Sequence, residues 1–395
     1  MRFATKTIHA HQPPDPSTGA VVAPIFQTTT FEQTEPGVHR GYCYTRTDNP
    51  TRRRLEAVLA DIEGVDHCAV FSSGMCAINT VLQGLLRPGD EVILAPDVYG
   101  GTHRLLYRVY AQKGFTVRTV DLSRPELLRQ ALTAKTRIVW LETPTNPRLW
   151  IYDIARLATL AHERGALVVV DNTFATSLFQ HPFKLGADVV VYSVNKFISG
   201  HADVTQGAAL MRDAALFEPI KFLQNASGGT PSPFDCWLTL RGMKTMELRL
   251  RQQVRNARLV AEALREHPAV RRVYYPGFPE HPGHEIAARQ MEEFGGMVSI
   301  ELAGTIESVK RFASTRKYFS LGEDVGCVYS LICHPVTMTH ATIPPESRAS
   351  LGLTDALIRL SPGCEDPEDL LEDLRAGLSE LEQDAQEPVA AGAAH

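Results

Sequence analysis

The chain has 395 residues, 44% of them hydrophobic, so it can fill a sizeable core in two or three domains. Its 40 Lys and Arg residues nearly balance 45 Asp and Glu residues, and the formal net charge is -5. Because both signs are interspersed, this charge excludes the basic surface that binds nucleic acid or anionic membranes.

Hydropathy and cysteine spacing indicate a cytoplasmic protein. No apolar run approaches the roughly 18 to 20 residues that span a bilayer, and residues 1–14 lack the apolar core of a signal peptide. The seven cysteines are scattered and form no C-x-x-C pair, which favours reduced thiols over disulfides or a zinc site. We therefore expect a cytoplasmic location and no metal ion.

The first part of the chain is predicted to be an arm followed by a large α/β domain. Residues 1–53 are rich in Pro, Thr and Gly without sustained periodicity, which indicates an extended arm. Residues 54–241 alternate helical patterns with short apolar runs, which implies crossover connections and a mostly parallel sheet between helices. The helical patterns cover residues 55–63, 75–86, 102–113, 125–132 and 153–164. The apolar runs cover residues 67–71, 91–95, 116–120, 138–142, 167–171 and 188–192.

Residues 242–395 predict a smaller α+β domain. A long amphipathic helical pattern at residues 242–266 comes first. After it, strand patterns are set among helical ones. The strands are expected at residues 270–275, 297–302 and 328–333, and the helices at residues 306–314 and 367–381.

Two strand ends carry the first chemical signal. Lys196 closes a largely apolar run and is followed by a loop of small residues, a position that suits a reactive amine. A lysine that merely extends its charge into water fits the same pattern. Asp171 ends another β-branched run, and ligands of open α/β sheets collect at the carboxyl ends of strands. A lysine that forms a Schiff base and an aspartate that pairs with a pyridinium nitrogen are what pyridoxal phosphate (PLP) requires.

The segments around these residues resemble the PLP-dependent Cys/Met metabolism family. Residues 193–196 and 200–203 are similar to its lysine signature, and further matches follow the family's order over about residues 5–381. These matches lie at residues 44–51, 72–75, 99–102, 142–147, 171–174 and 358–361. The resemblance implies the PLP fold-type I (aspartate aminotransferase-like), an arm that reaches a neighbouring subunit, and a homotetramer built as a dimer of dimers.

The resemblance also assigns the cofactor-binding residues. Ser73, Gly74 and Met75 lie between a predicted strand and helix, where backbone N–H groups can point at a phosphate, although plain helix caps use the same junction. Tyr44 and Arg46 match the pair that reaches the phosphate from the adjacent subunit. The remaining residues match family positions around the pyridine ring and the lysine: Tyr99, Asp171, Thr173, Ser193, Asn195 and Lys196. Among them, Asn195 stands where the family usually has threonine. Lys196 and Tyr99 are expected to act in proton transfer.

Substrate residues follow in the same way. Arg359 is flanked by apolar residues on a predicted strand and therefore needs an anion, which the resemblance identifies as the substrate α-carboxylate. The resemblance adds Arg104, Asn146, Tyr329 and Ser330 as substrate contacts. Tyr329 stands where cystathionine enzymes commonly have glutamate, which would weaken binding of a distal ammonium group.

The expected activity is γ-elimination on cystathionine or a related sulfur amino acid, as in cystathionine γ-lyases. Cystathionine γ-synthase activity, which joins acylated homoserine to cysteine, is the alternative. Methionine γ-lyase activity is less favoured, because Gly101 stands where those enzymes carry cysteine. A non-catalytic PLP-binding protein is a further alternative, although Lys196, Asp171, Tyr99 and Arg359 are all present.

Overall fold

A computed structural model describes residues 1–341, 348 and 351–386. The strands are β1 Gln33–Glu35, β2 Val38–His39, β3 His67–Phe71, β4 Glu91–Leu94, β5 Thr116–Thr119, β6 Thr136–Glu142, β7 Leu167–Asp171, β8 Val189–Ser193, β9 Gly207–Met211, β10 Val270–Tyr274, β11 Val298–Leu302, β12 Ser320–Leu321, β13 Leu331–Cys333 and β14 Leu357–Ser361. The α-helices are α1 Phe3–His9, α2 Pro50–Glu63, α3 Gly74–Leu85, α4 Gly100–Leu105, α5 Pro125–Ala131, α6 Ile154–His162, α7 Thr176–Phe179, α8 Ala214–Ser227, α9 Pro233–Met243, α10 Met246–Arg265, α11 His284–Gln290, α12 Ile306–Ser314 and α13 Pro367–Gln386.

A seven-stranded sheet has the order β3-β9-β8-β7-β6-β4-β5. Strands β4 to β8 pair in parallel, and β9 is antiparallel to both of its neighbours. The valine runs of β7 and β8 are buried, as expected for central strands whose two faces are both covered by helices. The predicted α/β class with a mostly parallel sheet is confirmed.

The large sheet also shows what the sequence patterns missed. Strand β9 reads Gly-Ala-Ala-Leu-Met, which has no β-branched residue and so gave no strand signal. The helical pattern at residues 102–113 is one helix only as far as Leu105, after which a π-helical turn covers Leu106–Tyr110 and a 3-10 turn covers Ala111–Lys113. Helices α8 and α9 were not predicted either, and α10 begins at Met246 rather than at residue 242.

A second sheet has the order β10-β11-β14-β13-β12. Its pairs are antiparallel except for β12 with β13. Side chains of α10, α12 and α13, such as Leu264, Phe312 and Leu378, join a buried cluster with Ile300 and Ile358 of the sheet. The predicted strand at residues 328–333 is shorter, because the Val328 N–H bonds instead to the Gly200 carbonyl at 3.0 Å. The exact domain limits at residues 53 and 241 stay a prediction.

The predicted arm begins with a helix. Lys6 of α1 forms an ion pair with Asp61 of α2 at 2.9 Å, and Lys244 donates to the Ile8 carbonyl at 3.0 Å. The strands β1 and β2 form a separate small hairpin. Within the described residues, no helix is long and apolar enough to cross a membrane.

Candidate active site

A cavity of about 660 Å³ opens beside the carboxyl ends of β6, β7 and β8. This volume lies within the range of about 300–1,000 Å³ that small-molecule sites occupy. Most of the residues that the sequence predicted line this one cavity. They are Ser73, Gly74, Met75, Tyr99, Arg104, Asn146, Asp171, Thr173, Ser193, Asn195, Lys196 and Arg359.

Asp171 ends β7 and is only 7% exposed. Its Oδ1 accepts hydrogen bonds from Thr173 N at 3.1 Å and Thr173 Oγ1 at 2.6 Å. Thr173 Oγ1 in turn accepts from Ser193 N at 2.9 Å, which ties β7 to β8. Burial raises the pKa of Asp171 to about 6, and the Thr173 bonds oppose this shift. A cation beside this carboxylate would stabilise its ionised form, which fits the pyridinium nitrogen of PLP.

Lys196 lies three residues after the end of β8. Its backbone N–H bonds to the Ser193 carbonyl at 3.2 Å, and its carbonyl accepts from Gly200 N at 2.8 Å. This tight loop turns the side chain into the cavity, where Nζ donates a hydrogen bond to the carboxylate of Asp324. The amine is therefore held at the cavity wall with a quarter of its side chain exposed.

The start of α3 forms a cradle for an anion. Ser73 is the N-cap, and its Oγ accepts from Cys76 N at 3.0 Å. The amides of Gly74 and Met75 have no intrahelical acceptor, because they belong to the first turn. A Cβ at Gly74 would lie 3.0 Å from Ser193 Oγ, so glycine allows β8 and the cradle to pack closely. The two amides fit the phosphate of PLP. The Ser193 hydroxyl beside them donates to Asn195 Oδ1 at 2.8 Å, so it would have to turn from Asn195 to donate to a phosphate.

Glu142 holds two cavity residues in place, although sequence analysis assigned it no role. Its Oε2 accepts from Tyr99 N at 2.6 Å and its Oε1 from Asn146 N at 3.1 Å. Glu142 ends β6 directly opposite Asp171 of β7. Burial and the nearby Asp171 carboxylate raise the pKa of Glu142 well above its usual range. The signal that could have identified it is an acid at a strand end, the same signal that identified Asp171.

Tyr99 has a partly exposed ring at the cavity wall. Burial is the largest cause that raises the pKa of its phenol above the ordinary value of 10, at which the hydroxyl is already protonated at neutral pH. The ring packs against Gly101, where a Cβ would lie 2.4 Å from Tyr99 Cε1. A larger residue at position 101 therefore requires the ring to move.

Arg359 of β14 is 2% exposed and reaches the cavity from the second sheet. Its Nη1 donates to Asn146 Oδ1 at 3.0 Å, and its Nη2 donates to the Glu323 carbonyl at 2.8 Å. Its Nε is buried and has no hydrogen-bond partner among the described residues. A buried guanidinium with a free donor fits a carboxylate ligand.

Four predicted site residues lie outside this cavity within the single chain. Arg46 donates to the Asn225 carbonyl at 2.8 Å, and its guanidinium lies 5.6 Å from the centre of the Tyr44 ring. Tyr329 has an exposed ring, and Ser330 is buried. The hydroxyl of Ser330 donates to Glu365 Oε2 at 2.9 Å. Their proposed ligand contacts stay predictions.

Two further acids line the cavity and were not predicted, namely Glu323 and Asp324. Both lie in the loop that follows β12, and their backbone carbonyls face Nη2 of Arg359. A loop residue leaves no periodic pattern in a sequence, so no signal pointed to them.

Comparison with known proteins agrees with this geometry. The family model described as "Cys/Met metabolism PLP-dependent enzyme" matches residues 4–379. The chain is 47% identical to a cystathionine beta-lyase of Coxiella burnetii (95% of this chain, 97% of the relative) and 48% identical to a cystathionine gamma-lyase of Dictyostelium discoideum (95% and 97%). The fold matches the crystal structure of cystathionine gamma synthase from Xanthomonas oryzae pv. oryzae in complex with aminoacrylate and cysteine, with a TM-score of 0.95, 45% identity, and 97% and 99% of the two chains covered. The chain therefore belongs to the Cys/Met metabolism PLP-dependent enzyme family.

Proposed function

We propose that the protein is a carbon–sulfur lyase that acts on cystathionine or a related sulfur amino acid by γ-elimination. The observation that carries this proposal is that Lys196, Asp171, Tyr99 and Arg359 line one cavity. The amine supplies a base, and the buried acid pairs with the cofactor ring. The phenol supplies a proton donor, and the buried guanidinium binds a carboxylate.

The residues that would hold PLP divide by the part of the cofactor they fit. The first-turn amides of α3 suit the phosphate, and Asp171 suits the ring nitrogen. Lys196 provides the amine for covalent attachment. Bound PLP supplies an electron sink that makes the α proton of the substrate acidic.

Arg359 would orient the substrate, and Lys196 and Tyr99 would transfer protons from it and to it. The unpartnered Nε of Arg359 suits the α-carboxylate, and Asn146 keeps the guanidinium in place through its Oδ1. Lys196, as the neutral amine, removes the proton from the α carbon. The Tyr99 phenol, which is protonated at neutral pH, can donate a proton to the departing sulfur.

Cystathionine γ-synthase activity is the second candidate. It is supported by the likeness to the Xanthomonas oryzae enzyme, whose structure was solved with aminoacrylate and cysteine. Both activities need the same lysine, aspartate and arginine, and they differ in whether a thiol adds after the γ-substituent has left.

The cavity wall also carries the carboxylate of Glu323, a group that can attract the distal ammonium of cystathionine.

We propose in addition that the enzyme is a cytoplasmic homotetramer with shared sites. The support for sharing is that Tyr44 and Arg46 are exposed on their own chain and do not line its cavity. A neighbouring subunit could then receive the Arg46 guanidinium at its phosphate cradle. The seven free cysteines suit a reducing compartment.

Product analysis tests the proposed function. Purified enzyme loaded with PLP is incubated with cystathionine, and the products are identified by mass spectrometry. The γ-elimination consumes water and yields cysteine, 2-oxobutanoate and ammonia, whereas β-elimination yields homocysteine, pyruvate and ammonia. Pyruvate with homocysteine as the main products would refute the proposal.

A parallel incubation with acylated homoserine and cysteine tests the synthase alternative. Under the proposal, 2-oxobutanoate release from cystathionine is faster than cystathionine formation at matched substrate concentrations. Faster cystathionine formation would replace the proposal with the synthase. The Lys196→Ala variant serves as the control for reactions that free PLP catalyses.

A further inference from the structure

Asp324 is in direct contact with the amine of Lys196. Its Oδ1 accepts a hydrogen bond from Lys196 Nζ and a second one from Val325 N at 3.0 Å. Both side chains line the cavity, and they are 25% and 30% exposed. The pair therefore lies where the chemistry would occur rather than on the outer surface.

The loop that carries Asp324 is fixed on both sides. The Nη2 of Arg359 donates to the carbonyl of the preceding residue, Glu323, at 2.8 Å. On the other side, Gly326 N donates to Ser361 Oγ at 2.9 Å. A Cβ at Gly326 would lie 2.6 Å from the Phe197 ring, so the loop packs directly against the residue after Lys196. The position of the carboxylate is thus set relative to the lysine backbone.

A simple ion pair is the alternative explanation for this contact. Partly exposed pairs contribute little to stability, so a stabilising role gives little reason for an acid here. An acid in an active site has a larger effect on the chemistry, because its charge acts on every neighbouring group. An acid that only paired with the free amine would have no effect once Lys196 carries PLP. The two explanations therefore predict different behaviour of the loaded enzyme.

We propose that Asp324 is the counter-ion of the Lys196 nitrogen throughout the reaction. While Lys196 holds PLP, the carboxylate stabilises the positive charge on that nitrogen. When the substrate has released the amine, neutral Lys196 takes the proton from the α carbon, and the electron pair of the broken C–H bond stays with the substrate. The resulting ammonium donates to Asp324, which keeps the proton beside the substrate. The first step, stabilisation of the charge while Lys196 holds PLP, does not depend on the proposed function. The second step, proton transfer from the substrate to Lys196, rests on it.

A spectroscopic titration tests the first step without turnover. The visible absorbance of lysine-bound PLP is followed against pH in the wild type and in Asp324→Asn, which keeps the shape of the side chain and can still accept from Val325 N. We expect the midpoint to fall by about one pH unit, because a carboxylate in hydrogen-bond contact shifts a titration by about 1–3 units and partial exposure weakens the effect.

Two further variants make the titration specific. Glu323→Gln removes the same charge from the adjacent residue, whose carboxylate forms no ion pair with Lys196 in the structure. The titration midpoint of this variant should therefore move less than that of Asp324→Asn. Asp324→Glu keeps the charge and should keep the midpoint nearer the wild-type value. The comparison holds constant the other ionisable groups that line the cavity: Tyr99, Arg104, Glu142, Asp171 and Arg359.

The second step is tested by exchange of an α proton of glycine with deuterated solvent, followed by NMR. Asp324→Asn should slow this exchange by at most about tenfold, because losing the carboxylate that stabilises the ammonium weakens Lys196 as a base by about one pH unit. An unchanged midpoint in Asp324→Asn, or an equal shift in Glu323→Gln, would overturn the counter-ion role. A shifted midpoint in an enzyme that does not cleave cystathionine would uphold the first step and refute the proposed function. PLP content and circular dichroism confirm that each variant is folded.

Discussion

The Asp171 carboxylate should destabilise the protein before PLP binds. The side chain is 7% exposed, and burial raises its pKa from an ordinary 3.8 to about 6. In the unfolded chain the same group ionises near its ordinary value. The folded apoprotein therefore holds a proton that the unfolded chain has already lost.

The size and sign of this effect follow from linkage. Between pH 3.8 and about 6 the folded state binds more protons than the unfolded state, so stability falls as the pH rises through this window. A shift of about two units corresponds to roughly 3 kcal/mol, and the full penalty applies above pH 6. The penalty disappears below pH 3.8, where both states are protonated.

The Asp171→Asn variant should remove this penalty. The amide oxygen can still accept the hydrogen bonds of Thr173 that Oδ1 now accepts at 3.1 and 2.6 Å. The variant apoprotein should therefore be more stable than the wild-type apoprotein above pH 6, by about 3 kcal/mol from Asp171 itself and by a further amount because Glu142 loses a repelling neighbour. With PLP bound the order should reverse, because the amide cannot pair with the ring nitrogen as an anion does.

Urea unfolding of the apoproteins measures the difference. Midpoints are compared above pH 6 and again as close to pH 3.8 as the fold tolerates, since the gain must shrink toward acid pH. Asp203→Asn is the matched control, because Asp203 is exposed and loses the same charge. A gain that is absent above pH 6, or that is the same at both pH values, would refute the reasoning. Midpoints are compared rather than absolute free energies, because a chain with several sheets can unfold in more than one step.

The remaining predictions concern turnover. Lys196→Ala should lose the visible absorbance of lysine-bound PLP and nearly all activity, and wild-type turnover in that variant would refute its role. Mixing inactive Arg46→Ala and Lys196→Ala subunits should restore some activity, because one hybrid site is then wild type at both positions; no recovery after confirmed subunit exchange would place each site in one chain. Glu142→Gln should lower kcat/KM and the melting temperature, because one amide oxygen cannot replace two carboxylate oxygens and an unpaired buried donor costs about 1–3 kcal/mol; unchanged values of both would contradict it. Tyr329→Glu should raise the ratio of kcat/KM for cystathionine to kcat/KM for homocysteine. The corresponding change in activation free energy is at most roughly 1.5 to 3 kcal/mol, the value of a charged hydrogen bond. An unchanged ratio would place Tyr329 outside the substrate pocket.

The sequence located the elements whose patterns come from burial. Asp171 and Lys196 were found because each follows a β-branched run that forms a fully covered strand. Arg359 was found because a charged residue interrupts an apolar strand. Each of these signals is local, and each depends on side chains that must be apolar wherever a strand is buried on both faces.

The features that the sequence did not reveal depend on contacts between distant segments. Strand β9 begins with glycine because Gly207 packs under the anion cradle, where a Cβ would lie 2.4 Å from the Ser73 carbonyl. Asp324 contacts Lys196 from 128 residues away, out of a loop whose Glu323 carbonyl accepts from Arg359. No window of sequence contains both partners, so periodicity could not bring them together.

The antiparallel strand β9 separates the two strands that lead into the cradle and into Lys196. Phe71, Gly207 and Ser193 lie opposite one another across β3, β9 and β8. The cradle follows the first of these strands and Lys196 follows the last, so their starting points are two strand spacings apart, roughly 9.5 Å. Backbone hydrogen bonds fix this interval, and side-chain substitutions leave it unchanged. The chain can therefore alter the loops that select a substrate, such as the one bearing Glu323 and Asp324, while the cofactor keeps its place.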